Sequence, residues 1–198
     1  MLKTHGFFFS LVLLFIGVGC TNIKRGPVEE GTLEHGIYSS TYFNLAMNVP
    51  ENWKVDTLGK VEKKATAADA NESDITLVAN LLTIYQEIEK EEFKPNLSMI
   101  AERCTLYPEL KNENDYLAHV KKQYANLNPI TSEIKKMVLK NAVDCYTFDL
   151  TMTIQEVTMQ QTHFALKRND FYIDITITYQ IAKQKEELEA IVNSLTMN

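Results

Sequence analysis

Phe171-Tyr-Ile-Asp-Ile-Thr-Ile-Thr-Tyr179 puts Phe171, Ile173, Ile175, Ile177 and Tyr179 on one side of an extended chain and Asp174, Thr176 and Thr178 on the other. Alternation with a period of two marks a half-buried β-strand, with its apolar row turned to a core. One strand earlier, Tyr146, Phe148, Leu150, Met152 and Ile154 repeat the pattern. Between them, Glu156 to Lys167 alternates more weakly, and Arg168-Asn169-Asp170 supplies residues suited to a tight reversal. Val143 to Gln180 therefore reads as three consecutive antiparallel strands, the largest part of a sheet on which a core is built.

Working outward, Lys183 to Leu195 has Leu188, Ile191, Val192 and Leu195 at helical spacing, and this helix is expected to lie across the sheet. Asn112 to Leu127 is a second helix, capped by Asn112 or Asn114, with Asp115 in its first turn and Leu117, Val120, Tyr124 and Leu127 on one face. His119 falls off that stripe and reads as solvated. Phe43, Leu45, Met47 and Val49 alternate in a strand that ends at Pro50, and Trp53, the single tryptophan, is expected to fold back onto the core. Ile75 to Ile88 and Ser132 to Leu139 read as further strands. Leu58 to Asp74 reads as a polar surface excursion, Glu87 to Glu92 as an acidic loop, and Asn96 to Cys104 fits strand and helix equally. The expected class is α+β, an antiparallel sheet of about six or seven strands flanked by helices.

The bulk numbers exclude some functions. A net charge of -6 offers no basic field for phosphates, so no nucleic-acid partner is expected. With 7 Gly and 5 Pro in 198 residues the chain has no compositional sign of long disorder, and one domain with its own core is expected.

At the N-terminus, Lys3 precedes the apolar run Phe7 to Val18, which is too short to span about 30 Å of hydrocarbon and reads as a signal peptide. Gly17-Val18-Gly19-Cys20 resembles the lipobox of bacterial lipoproteins, with Gly17 departing from the leucine usual there. The resemblance implies cleavage before Cys20 and acylation of Cys20 by diacylglycerol and a palmitate-type chain, which would hold the protein on the extracytoplasmic face of a bacterial membrane. Thr21 after Cys20 disfavours inner-membrane retention where two membranes exist. The expected division is a signal peptide over 1–19, a lipid-anchored tether over 20–35 and a globular domain over 36–198. Glu29, Glu30, Glu34 and His35 have no cation-ligand spacing and read as solvated tether residues.

Tyr38 through Phe43-Asn-Leu-Ala-Met-Asn-Val-Pro-Glu-Asn-Trp53, Phe93-Lys-Pro-Asn-Leu-Ser98, Asp115-Tyr-Leu117, Phe171 to Tyr179 and Glu187 to Leu195 together resemble lipoproteins of the PsbP-like fold. That fold is shared with the photosystem II extrinsic subunit and with DcrB-type periplasmic lipoproteins. The resemblance implies an α/β/α sandwich and a binding or accessory role without a common catalytic constellation.

No Gly-rich phosphate loop, His-Glu-x-x-His or Gly-x-Ser-x-Gly occurs, and no catalytic, cofactor-binding or metal-binding residue is assigned. His163, in the polar run Met159 to Phe164, is the one candidate for a hidden site; a solvent-facing sheet surface explains it as simply. Asp144, Asp149 and Asp174 are a second, weaker candidate cluster. Cys104 and Cys145 are either two free thiols, the preferred reading, or a bridge. By alternation Cys145 is expected to point away from the main sheet core. The favoured function is a non-catalytic, lipid-anchored binding or accessory module of the cell envelope; the alternatives are a small-ligand carrier, or an enzyme or metal-dependent protein whose site forms only in three dimensions. A polar cavity would favour the alternatives, and a filled core with an exposed apolar patch the first.

Overall fold

A computed structural model describes residues 28–29, 31–62, 77–87, 93–154 and 156–197, with the side chains of 60–62 left aside. The expected signal peptide, Cys20, most of the expected tether, most of the 58–74 excursion and most of the 87–92 loop lie outside these residues.

A small sheet opens the fold with β1 (Thr32–Glu34), β2 (Ile37–Ser40) and β3 (Leu45–Asn48). The main sheet follows with β4 (Trp53–Glu62), β5 (Val78–Gln86) and β6 (Asn96–Arg103). After helix α1 (Glu113–Gln123) come β7 (Ile130–Thr131), β8 (Lys135–Val138), β9 (Asp144–Ile154), β10 (Val157–Arg168) and β11 (Phe171–Tyr179). Helix α2 (Ala182–Val192) leads to β12 (Thr196–Met197), which returns to the small sheet beside β3. The main sheet runs β4-β5-β6-β11-β10-β9, with β7 and β8 sharing the outer edge of β9, and its pairings are antiparallel. Eight strands thus stand where six or seven were expected.

The three-strand meander is as read from the sequence, and Asn169 takes the left-handed conformation (φ 55°) its turn requires. What alternation did not show is which face each row serves. Phe164 pairs with Ile175 on one side and Thr147 on the other, so Thr147 and Cys145 share the face of Ile175, and Phe148 points the opposite way. The apolar row of β11 packs with Leu97, Met99, Phe164, α2 and the small sheet. The row of β9, Phe148, Leu150 and Met152, packs instead with Tyr116, Leu117 and Val120 of α1 and with Tyr172. Layers therefore cover both faces: α1 on one, α2 and the small sheet on the other.

Several expectations change. The strand β11 is buried on both faces rather than half-buried: Asp174 is 8% exposed and Thr178 6%, the aspartate against His163 and the threonine accepting from Gln161 Nε2 at 3.2 Å, on the face where Tyr116 of α1 stacks on Tyr172. Cys145 belongs to the core beneath α2 instead of pointing away from it, while Cys104 packs on the α1 side; both thiols are free. Asn96–Arg103 is a strand, because β5 and β11 flank it and satisfy its backbone on both edges. Leu58 to Glu62 continues β4, paired with β5, where a surface excursion was expected. Thr32–Glu34, read as tether, pairs with β2, and Val28 is buried. Ser132 to Leu139 yields only the short β8, with β7 just before it. Trp53 is buried at 6% exposure, as expected of a core tryptophan.

Candidate functional site

His163 comes from β10, and Asp174 and Thr176 from β11. Register sets His163 between Phe148 and Thr176, with Asp174 two residues along, so all four lie on the α1 face. The imidazole stacks on Phe148 with ring centroids 4.8 Å apart and planes 2° from parallel, and meets the Tyr124 ring edge-on at 5.6 Å. Its Nδ1 is 3.0 Å from Asp174 Oδ2, 3.3 Å from Oδ1 and 3.0 Å from Thr176 Oγ1. With the proton on Nδ1, the ring donates to the carboxylate and Nε2 is left as an acceptor.

A carboxylate that orients an imidazole in this way is half of a general-base arrangement, in which Nε2 would take a substrate proton. Here Nε2 is fully buried and has no hydrogen-bond partner among the described residues, and His163 is 2% exposed. The pair therefore organises the interior beneath α1 and offers a substrate no approach. Sequence reading singled out both residues but not their meeting, which register alone decides.

A second polar group fastens the same helix. Glu102 of β6 accepts hydrogen bonds from Tyr107 at 3.0 Å and Tyr116 at 2.7 Å, and Tyr172 donates to the Leu110 carbonyl at 3.1 Å. Tyr116 stacks on Tyr172 at 4.8 Å. Burial, reinforced by Asp174 and Glu102, drives the Tyr116 hydroxyl well above its ordinary value, and burial with Glu102 pushes Tyr107 up to about 12. Both hydroxyls are held as proton donors. His119, expected in solvent, is half-buried with its ring 4.8 Å from Tyr107.

The three aspartates do not gather. Asp149 lies on the α2 face, accepting from Thr162 at 2.6 Å with Lys185 at 3.5 Å; Asp144 pairs with exposed Lys136 at 2.7 Å; Asp174 is on the other face. Among the described residues no group of three His, Cys, Asp or Glu side chains is placed to hold a metal ion.

One open concavity was not foreseen. A cleft of about 330 Å³ lies where the β3–β4 turn meets α2, lined by Asn48, Pro50, Asn52, Trp53, Glu187 and Ile191 among others. Its walls are some 140 residues apart in sequence, and no local pattern joins them.

No protein-family model matches the sequence, and no curated protein does. In three dimensions the chain is similar to the solution structure of cyanobacterial PsbP (CyanoP) from Synechocystis sp. PCC 6803, at a TM-score of 0.54 and 13% identity over 82% of this chain and 91% of that one. The fold is PsbP-like. A crystal structure from Bacteroides thetaiotaomicron VPI-5482 aligns at a TM-score of 0.45 and 9% identity, covering 86% of this chain and 49% of that one. The PsbP-like domain here consists of the main sheet with α1 on one face and α2 with the small sheet on the other.

Proposed function

We propose that this protein is a non-catalytic accessory or binding module, held by acyl chains on Cys20 at the extracytoplasmic face of a bacterial membrane. The observation that carries the reading is the order of parts: an export-type apolar run closed by Gly17-Val18-Gly19-Cys20, then a PsbP-like domain. The closed state of the His163–Asp174 pair supports the non-catalytic half. Two or three acyl chains, at about 0.8 kcal/mol per buried methylene, make such an anchor stable. Mass spectrometry of the mature N-terminus is expected to show an acylated cysteine, and Cys20→Ala to move the protein into the aqueous phase of a detergent partition. A Cys20→Ala protein still wholly in the detergent phase would defeat the anchor.

A small-ligand carrier is the second reading, favoured by the cleft beside Trp53. Its volume is at the lower end of the range for ligand sites. Trp53 being the only tryptophan, its fluorescence reports occupation directly.

A further inference from the structure

The cleft between the β3–β4 turn and α2 has one charged group in its lining, the Glu187 carboxylate. Glu187, Ala190 and Ile191 recur at helical spacing, and with Ser194 they make one row of α2 and its end into a wall. Pro50 and Trp53 supply the other apolar surface. Both walls are tied in place. The Asn48 amide donates to Ser194 Oγ at 2.9 Å, Ser194 Oγ donates to the Ile191 carbonyl at 2.6 Å, and the Trp53 amide donates to the Pro50 carbonyl at 3.0 Å. Gln86, directly across the sheet from Trp53, donates from Nε2 to Glu187 Oε2 at 3.2 Å, which sets the carboxylate beside the indole.

The cations of the neighbourhood leave that carboxylate uncompensated. Lys54 alternates to the opposite face of β4, where it pairs with Glu87. Lys185 is engaged with Asp149 at 3.5 Å and Glu189 at 3.6 Å. Lys183, one turn before Glu187, lies outside the lining and within ion-pair distance of no carboxylate among the described residues, and Lys140 meets the end of α2 through its backbone amide. Exposed Glu51, between Pro50 and Asn52, adds a second negative charge at the mouth. Elsewhere the chain sets its own cations against aromatic rings, as Lys94 over Tyr85 at 5.0 Å and Lys185 over Tyr179 at 5.6 Å; among the described residues none stands over Trp53.

We propose that the cleft binds a small organic cation, an amine whose ammonium group meets Glu187 and whose short apolar body lies between Trp53 and Ile191. The proposal rests on the carrier reading and gives it a ligand class. A half-buried carboxylate in an apolar wall repels anions and gives a cation a charge-assisted hydrogen bond. The indole adds attraction for the same charge. The volume of about 330 Å³ admits a molecule of about ten non-hydrogen atoms, at about 30 Å³ for each water-sized group.

The test is titration of the full-length protein with three probes of one shape, followed by Trp53 emission: phenethylamine, neutral phenethyl alcohol and anionic phenylacetate. The amine is expected to shift the emission saturably, with the alcohol and the acid weaker by about tenfold or more. Glu187→Gln should bring the amine down to the level of the alcohol and leave the alcohol unchanged, and Ala190→Leu, which fills the cleft, should abolish the shift from the amine. An alcohol or acid that binds as well as the amine, or an amine indifferent to Glu187→Gln, would overturn the ligand class and leave a carrier standing. A shift that survives Ala190→Leu would remove the site from the cleft. No saturable shift from any of the three would overturn the class and the carrier reading together. The comparison of probes is made on the unaltered protein, so it decides even where a variant folds poorly.

Discussion

His163 and Asp174 are two buried polar side chains whose joint cost is small only while they hold each other. Removing one partner leaves the other unsatisfied in the interior, at about 1–3 kcal/mol, whereas replacing both by apolar groups of similar shape is close to neutral. His163→Phe and Asp174→Val should each lower stability by an amount of that order, and the double variant should recover much of the loss. Urea unfolding of the four proteins measures this, and additive losses would show that the pair is not coupled. Sequence made His163 visible as an oddity in a polar run and Asp174 as part of an alternating row. Their contact was hidden because Thr176, not Asp174, sits directly across from His163, so the approach is diagonal. The burial of the polar row was hidden too, since alternation reports two faces and says nothing of what covers the second.

Helix α1 is the lid on this interior, and its start was legible from the residues. Asn112 Oδ1 accepts from the Asp115 amide at 3.0 Å, and the Asp115 carboxylate accepts from the Lys111 amide at 3.1 Å. Asn112→Ala is expected to cost about 1 kcal/mol. Hydrogen exchange should speed up in α1 before it does in β11, and equal acceleration in both would show that the helix does not open by itself. The far end of α1 was misread. Periodicity carried it to Leu127, but the helix stops at Gln123, Ala125–Leu127 winds as a 3-10 turn and Asn128 turns left-handed at φ 47°, which leaves Leu127 47% exposed. Asn96–Arg103 was ambiguous because its apolar residues fit both periods; only pairing with β5 and β11 separates them, and those partners are remote in sequence.

For the whole molecule, class and flanking helices were readable, while the sheet's edges and the domain's beginning were not. Weakly alternating edge segments such as Leu58 to Glu62 carry little signal of their own. The ordered chain starts before Gly36: Val28 is buried, β1 pairs with β2, and Gly31 lies so near Tyr38 that a side chain there would run into the ring. A protein beginning at Gly36 should therefore melt lower than one beginning at Gly26. Loss of Val28 alone removes about 1.5–3 kcal/mol of burial, and each kcal/mol corresponds to about 2–4 °C for a domain of this size. Equal melting temperatures by calorimetry would show that residues 28–34 add nothing. The return of β12 to β3 has a kinetic meaning. Thr196 donates to the Ala46 carbonyl at 3.3 Å across 150 residues of sequence, and Leu188, Ile191, Val192 and Leu195 complete a core whose other walls are made much earlier. Contacts so distant form late, and the principal core stays unfinished until the last fifteen residues are available. A chain still emerging from synthesis remains open, the state in which a polypeptide can be threaded through a membrane pore.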